Sequence, residues 1–109
     1  MSGSTIESSD GSGISTQGAP ITLENVAITN SSESGIEAFI DGARQAATLT
    51  GCTIDHNGSA GITSINYDLT LDGGSVTYNN PGIETNGGSF TASHLTVEYN
   101  MSPNEGGGF

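Results

Sequence analysis

Apolar residues recur in this 109-residue chain about once every twenty-two positions, and this spacing limits the folds available to it. One series has steps of 22, 26, 22 and 21 residues and consists of Ile6, Ile28, Ile54, Val76 and Val97. In a second series each member directly follows a glycine, and it consists of Ile14, Ile36, Ile62 and Ile83. Self-similarity at such a period is typical of a solenoid, in which each repeat is one coil and stacked coils share a buried core. We therefore expect both series to form the core.

Short segments within each coil alternate apolar and polar residues with period two, as in Ile21-Thr22-Leu23. This alternation is typical of a strand with one buried face, and threonine on the outward side favours β-structure. Three strands of three or four residues per coil, separated by Gly, Asn or Ser, predict a triangular cross-section. We expect a single all-β domain over residues 1–109, a single-stranded parallel β-helix of about five coils with no capping helix. Residues 1–20 would form a partial first coil and residues 101–109 a degenerate glycine-rich end.

The charge of the chain excludes several classes of partner. Twelve acidic residues stand against a single cation, Arg44, and the net charge is −11. Binding to nucleic acid or to an anionic membrane depends on Lys and Arg, so we expect neither. Arg44 falls in the connection from Phe39 to Gln45, which is four residues longer than its counterparts and is expected to protrude. No apolar run is long enough to span a membrane.

Cysteine content and composition bear on the compartment of the protein. The single cysteine, Cys52, excludes an internal disulfide. It shares its place in the repeat with Val26 and Leu95, which predicts a small buried hydrophobic residue and not a reactive thiol. The polar composition, rich in Gly, Ser and Thr, favours an extracellular or cell-surface protein.

One polar column is as regular as the apolar ones. Three positions after each member of the first apolar series stand Ser9, Ser31, Asn57, Asn79 and Asn100. Asn at a turn tolerates left-handed backbone and can bond its own main chain. Amides stacked in register also bond from one layer to the next. We expect these residues to form turns and a structural ladder, not to bind a ligand.

The segment Leu49-Thr50-Gly51-Cys52-Thr53-Ile54-Asp55-His56-Asn57-Gly58-Ser59-Ala60-Gly61-Ile62 resembles a known repeat. It is similar to the loose pattern x-I-x-x-N-x-x-x-G-I of the right-handed parallel β-helix repeat family, the pectin-lyase-like superfamily. The resemblance extends from about Thr5 to Asn100 and implies a right-handed helix. It also implies that the Gly-Ile strand lies in the sheet on which the enzymes of the family place catalytic groups. Since the family includes lyases, hydrolases, epimerases, tailspikes, adhesins and structural proteins, the resemblance implies a fold and no single function.

The outward column of the Gly-Ile strands is the first place to look for chemistry. It contains Ser15, Glu37, Thr63 and Glu84. Glu37 and Glu84 are two coils apart, which predicts a separation of about 10 Å, close to the roughly 6.5–9.5 Å between the carboxyl groups of inverting glycosidases. The lyases of the family use Arg or Lys against a uronate, whereas Arg44 is in a loop here, and tandem aspartates typical of its polygalacturonases are absent. We therefore expect no catalytic residues and no enzyme activity.

A second polar column combines an imidazole with aromatic rings. His56 shares it with Asn30, Tyr78 and Tyr99, just before the Asn/Ser turn. Such a strip could stack on sugar faces, although an exposed turn histidine beside tyrosines is also an ordinary surface feature. The glycan-binding candidates are Glu37, Thr63, Glu84, His56 and Tyr78. The acidic residues are scattered one per coil without EF-hand or nonapeptide spacing, so we expect no cofactor and no specific metal site, and at most incidental Ca²⁺ binding.

The ends of the predicted solenoid carry the main functional expectation. Met1 falls in the column of Leu23 and Phe109 near that of Phe90, so the chain begins and ends at nearly the same phase of the coil. An open coil invites further strand pairing, and a head-to-tail contact that does not close propagates as a filament. We expect a structural module that stacks on copies of itself or on adjacent β-helix coils, as a filament subunit or as a segment of a longer fibre or adhesin. The alternatives are a monomer with frayed ends and a carbohydrate-binding or polysaccharide-processing β-helix fragment.

Overall fold

The computed structural model describes residues 3–7, 10–40, 44–80, 82–98 and 100. In this part of the chain there are thirteen β-strands and no helix. The strands are β1 (Thr5–Glu7), β2 (Ile14–Gln17), β3 (Ile21–Glu24), β4 (Ala27–Thr29), β5 (Ile36–Phe39), β6 (Gln45–Thr50), β7 (Thr53–Asp55), β8 (Ile62–Ile65), β9 (Tyr67–Asp72), β10 (Ser75–Thr77), β11 (Ile83–Asn86), β12 (Phe90–Ser93) and β13 (Thr96–Glu98).

Three parallel sheets run along the molecule. Sheet 1 has the order β1-β4-β7-β10-β13, sheet 2 the order β2-β5-β8-β11, and sheet 3 the order β3-β6-β9-β12. Each turn of the chain adds one strand to each sheet, so every pairing joins consecutive turns. This arrangement confirms the all-β parallel solenoid with three strands per coil. It comprises four complete turns, and β13 begins a fifth, which differs slightly from the expected count of about five coils.

The pairing register places equivalent residues of successive turns directly above one another. Ile6 pairs with Ile28, Ile28 with Ile54, and Val76 with both Ile54 and Val97. Burying an isoleucine side chain is worth about 1.5–3 kcal/mol relative to leaving it exposed, so each such column is a strong stabilising element. The inner members of the two apolar series are almost fully buried, and these are Ile28, Ile54, Val76, Ile36, Ile62 and Ile83. The outer members Ile6, Ile14 and Val97 are partly buried because they lie in the first and last turns.

One turn carries an insertion. From Phe39 to Ala47 the chain takes eight residue steps, whereas the equivalent path from Ile65 to Leu69 takes four. The four extra residues match the longer connection expected from the sequence, and Arg44 is exposed at its end. Residues 41–43 of this connection lie outside the described residues. β6 and β9 each have six residues, which is longer than the three or four expected.

The left-handed backbone at the corner after sheet 1 lies one position before the Asn/Ser column. Positive φ angles occur at Asn30 (59°), His56 (56°) and Tyr78 (55°), and not at Asn57 or Asn79. The chain leaves sheet 1 at this left-handed residue, and the next residue can then direct its side chain into the solenoid. The left-handed conformation that Asn tolerates at turns is therefore taken up by the residue before the Asn column and not by Asn57 or Asn79.

Two buried side chains link different parts of the interior. Cys52 is a free thiol, 5% exposed, whose Sγ donates to the Thr50 carbonyl at 3.7 Å. Tyr67 is fully buried, and its hydroxyl donates to the Ala19 carbonyl at 2.6 Å. Because Tyr67 begins the third strand of sheet 3 and Ala19 precedes the first, this bond connects the third turn to the first. In the described part of the chain, no helical segment has the length and hydropathy that crossing a membrane would require.

Candidate functional site

An amide ladder runs along the inside of the corner between sheets 1 and 2. Nδ2 of Asn57 donates to Oδ1 of Asn79 at 2.9 Å, and Nδ2 of Asn79 donates to Oδ1 of Asn100 at 3.3 Å. The same Oδ1 atoms accept backbone N–H groups from the turn below, from Asn57 at 3.1 Å and from Asn79 at 2.9 Å. The ladder is therefore directional, since each residue needs an amide oxygen from the turn that follows it.

Each amide of the ladder also reaches down to the apolar column. Nδ2 of Asn79 donates to the Ile54 carbonyl at 3.0 Å, and Nδ2 of Asn100 donates to the Val76 carbonyl at 2.9 Å. Asn57 makes the equivalent, longer contact with the Ile28 carbonyl at 3.5 Å. Asn57 and Asn79 are 6% and 2% exposed. Buried polar groups are tolerated only when they are hydrogen-bonded, and here they connect successive turns.

The glycine before each isoleucine of sheet 2 leaves room for this ladder. A Cβ atom on Gly35 would lie 2.7 Å from the Gly61 carbonyl oxygen and 2.9 Å from Nδ2 of Asn57. A Cβ on Gly61 would lie 2.7 Å from the Gly82 carbonyl oxygen and 2.8 Å from Nδ2 of Asn79. These glycines are required for space, and their φ angles are ordinary. The repeated Gly-Ile pair is therefore a packing requirement of the solenoid.

The ladder changes at Ser31. The Ser31 N–H donates to Oδ1 of Asn57 at 3.0 Å, as the equivalent N–H groups do in the turns above. The Ser31 hydroxyl is buried and makes no hydrogen bond. Ser9, which the sequence places next in the column, lies outside the described residues. The described ladder therefore consists of Ser31, Asn57, Asn79 and Asn100.

The outward strip of sheet 2 is a continuous column. Ser15 pairs with Glu37, Glu37 with Thr63, and Thr63 with Glu84. Thr63 thus separates the two carboxylates, each of which is exposed. The upper half of the strip borders a cavity of about 340 Å³ lined by Thr63, Ser64, Ile65, Glu84, Thr85 and Asn86. The Ser64 hydroxyl is buried and has no hydrogen-bond partner.

The other two glycan candidates form a stacked pair at the corner after sheet 1. The rings of His56 and Tyr78 are 4.6 Å apart between centroids, with an interplanar angle of 14°. Nδ1 of His56 lies 2.6 Å from Oδ2 of Asp55, which orients the imidazole. Tyr78 is 50% exposed. The structure therefore divides the five glycan candidates between a sheet face, with Glu37, Thr63 and Glu84, and a corner, with His56 and Tyr78.

A further polar group at sheet 3 brings together Asp72, Ser93 and His94, a combination that the sequence analysis did not predict. Oδ1 of Asp72 accepts from the Ser93 hydroxyl at 3.0 Å and lies 3.6 Å from Nδ1 of His94. The serine bonds to the carboxylate and not to the imidazole, so it is not activated as a nucleophile. The His94 side chain is 88% exposed. Within the described residues no three His, Cys, Asp or Glu side chains come together in a way that could hold a metal ion.

Both ends of the solenoid present sheet edges. β1 and β13 are the outermost strands of sheet 1, and among the described residues no strand pairs with their outer edges. The Thr96 N–H donates downward to the Gly74 carbonyl at 3.2 Å. Successive residues of a strand direct their backbone groups to opposite sides, so the backbone groups of Val97 point to the outer edge. An edge of this kind is a template for a further strand.

The comparisons with known proteins agree with this architecture. A family model described as the right-handed beta helix region matches residues 1–109. Searches of curated proteins and of solved structures each found no match. The family match covers the whole chain and agrees with the three-sheet parallel solenoid. The chain belongs to the right-handed β-helix family.

Proposed function

We propose that this chain is a non-enzymatic structural module, secreted or displayed on a cell surface, which associates end to end with further β-helix. The observation that carries the proposal is the pair of open edges of sheet 1, β1 at one end and β13 at the other. The partner is either a second copy or an adjacent stretch of β-helix in a longer fibre or adhesin. Both would extend the three sheets along the same axis.

The partly buried apolar residues at the two ends support this proposal. Val97 continues the column of Val76, and Ile6 begins the same column at the other end. Each is only partly buried, whereas the inner members of the column are 0–1% exposed. A further turn placed on either end would bury these side chains through the same column contacts that the inner residues make. Each Å² of apolar surface buried in this way would stabilise the association by about 25 cal/mol.

The absence of a cation near the carboxylates supports a structural role over catalysis. The sheet 2 strip offers Glu37 and Glu84 with Thr63 between them. No lysine exists in the chain, and the single arginine, Arg44, lies in the connection just before β6 of sheet 3. A general acid-base site needs groups whose environments differ, whereas both of these carboxylates are exposed on the same face.

Sedimentation analysis over a range of protein concentrations tests the end-to-end association. The measurements should be made in about 1 M NaCl, where the Debye length falls to about 3 Å and the net charge of −11 is screened. We expect association that increases with concentration. Val97→Lys places a charge on the edge strand where the next turn would pack, and it should abolish the association.

Thr96→Lys provides the matched control. Thr96 lies on the same strand, but its side chain is exposed on the outer surface. This variant adds the same charge away from the axis of the solenoid and should associate like the wild type. Two results would contradict the proposal. One is a wild-type chain that stays monomeric at every concentration in high salt, and the other is a Val97→Lys variant that associates as well as the wild type.

A second candidate function is carbohydrate binding, and the cavity beside the sheet 2 strip favours it. Its lining includes the polar residues Thr63, Glu84, Thr85 and Asn86. At the corner, the stacked rings of His56 and Tyr78, with Tyr78 50% exposed, could contact a sugar ring.

Glycan-array binding distinguishes this second candidate from the first. Glu84→Gln removes one of the two charges of the strip, the one that borders the cavity, and Tyr78→Ala removes half of the aromatic stack. Specific binding that either variant weakens would support carbohydrate recognition, with Thr48→Ala on the outer face of sheet 3 as the control. An array on which the wild type binds nothing would count against it.

A further inference from the structure

Seven carboxylates on the outer surface follow a rule that the strand register brings out. In sheet 1, one outward column reads, from the first turn to the fifth, Glu7, Thr29, Asp55, Thr77 and Glu98. In sheet 2 the column reads Ser15, Glu37, Thr63 and Glu84, and in sheet 3 it reads Glu24, Thr50, Asp72 and Ser93. In all three columns an acid alternates with a hydroxyl residue.

Strand spacing explains the alternation. Neighbouring strands lie about 4.8 Å apart, so acids in consecutive turns would stand directly opposite one another and destabilise the pairing. A threonine or serine between them doubles the separation. The hydroxyl can also satisfy the carboxylate, as Oδ1 of Asp72 accepts from the Ser93 hydroxyl at 3.0 Å. With a net charge of −11, the chain tolerates its acids because of this order.

The upper edge of sheet 1 therefore has a defined requirement. Glu98 is the last outward residue of its column, so the next strand should carry a hydroxyl residue above it. If the first turn of a second copy docked in register, Ile6 would lie over Val97 and Glu7 would lie over Glu98. Two carboxylates would then face each other at the interface, which happens nowhere in the three columns described above.

The amide ladder sets a second, independent requirement at the same end. Oδ1 of Asn100 accepts the backbone N–H of Asn79 from the turn below. The backbone N–H groups of Ser31 and Asn57 likewise donate to the Oδ1 of the ladder residue in the next turn. By this rule the turn above Asn100 should carry an amide side chain. With Glu7 over Glu98, the sequence column of the second copy brings Ser9 to the position over Asn100, and a serine offers no amide.

From these two patterns we infer that the upper end recognises a β-helix turn with a hydroxyl residue over Glu98 and an asparagine over Asn100. The first turn of a second copy, with Glu7 in that place, fits poorly at low salt. The inference rests on the proposed end-to-end association and names the kind of strand that the upper edge accepts. It favours, as the partner, an adjacent β-helix segment of different sequence over a second copy of this chain at low salt, where the charges are not screened.

The substitution Glu7→Thr turns the chain's own first turn into the outward pattern that the upper edge requires. Sedimentation in low salt should show head-to-tail association of this variant at roughly fivefold lower concentration than the wild type, which corresponds to removing one unfavourable like-charge pair. Glu24→Thr is the matched control, since it changes the net charge equally in the same turn. Glu24 lies in sheet 3, so in the docked register its charge does not stand over Glu98.

The outcomes separate this inference from the proposed function. Association of Glu7→Thr that Val97→Lys abolishes, with Glu24→Thr behaving like the wild type, supports the inference. Equal association of Glu7→Thr, Glu24→Thr and the wild type at low salt overturns it and leaves the end-to-end proposal intact. If Glu7→Thr stays monomeric at low salt while the wild type associates at high salt, the inference is again wrong. If neither associates in any salt, both fail. Circular dichroism confirms that each variant keeps its β-structure.

Discussion

Asn57 and Asn79 are joined side chain to side chain inside the solenoid, with Nδ2 of Asn57 donating to Oδ1 of Asn79 at 2.9 Å. The bond spans 22 residues of sequence and one turn of structure. Asn79 also accepts the Asn57 N–H and donates to the carbonyls of Ile54 and Thr77. The Asn79 side chain therefore supplies hydrogen bonds to buried groups in two turns, so we expect the stability of the protein to depend strongly on it.

Asn79→Ala should destabilise the fold by at least about 2 kcal/mol, because it leaves several buried backbone and amide groups without partners. Urea unfolding followed by circular dichroism measures the loss. Asn80→Ala is the control, since Asn80 is exposed and contributes its backbone N–H to the Ser59 carbonyl, which alanine retains. Equal urea midpoints for the two variants would show that the ladder does not stabilise the protein.

Ser31→Asn should stabilise the protein by about 1 kcal/mol, because it extends the ladder by one step. By the pattern of the turns above, the new Nδ2 would donate to Oδ1 of Asn57 and to the Ile6 carbonyl. Gly13 stands beside Ser31 as Gly35 stands beside Asn57, so space for the amide exists. The thermal midpoint should rise for Ser31→Asn and stay nearly unchanged for Ser31→Ala, whose lost hydroxyl makes no hydrogen bond. A lower midpoint for Ser31→Asn would contradict the ladder geometry.

Gly61→Ala should cost roughly 2 kcal/mol or more, in the range of overpacked cores. The added Cβ would lie 2.7 Å from the Gly82 carbonyl oxygen and from Cγ1 of Val76. Combining it with Asn79→Ala removes one of the crowded neighbours, so the double variant should lose less stability than the two single losses added together. Strict additivity in chemical denaturation would mean that Gly61 and Asn79 are not coupled through space.

The Cys52 thiol should react with a thiol reagent only when the protein unfolds. It is 5% exposed and lies in the column of Val26, within the core. Labelling with an aromatic disulfide reagent should therefore be slow in native buffer and complete in denaturant, with the native rate following the stability of the variants above. Rapid labelling of the native protein at the denatured rate would show that the core opens at this position.

The apolar columns could be read from the sequence because each strand needs only one or two inward residues, and Ile or Val is repeated at those positions. The amide column was equally regular, and the structure places Asn57, Asn79 and Asn100 in direct contact through their side chains. Their orientation was harder to foresee. The left-handed residue proved to be the one before the amide, and at two turns it is His56 or Tyr78, residue types that give no strong turn signal.

Features that depend on pairs of distant turns were not accessible from the sequence. The bond from the Tyr67 hydroxyl to the Ala19 carbonyl spans 48 residues and crosses the turn that carries the insertion. The stack of His56 on Tyr78 was foreseen only as a shared column. The alternation of acids with hydroxyl residues was visible beforehand only in the predicted column of sheet 2. In sheets 1 and 3 it needs the pairing register, because the acids of one column stand 43 to 48 residues apart.

The glycine of one turn and the asparagine of the next form a coupled pair. Gly35 makes room for Asn57, and Gly61 makes room for Asn79, each across a turn boundary. The structural unit of this solenoid, a glycine together with the asparagine of the next turn, is therefore offset from the repeat that is read in the sequence. A duplication or exchange of repeats preserves the fold only when its breakpoints keep each glycine with the asparagine that follows it, which limits where such chains can lengthen by recombination.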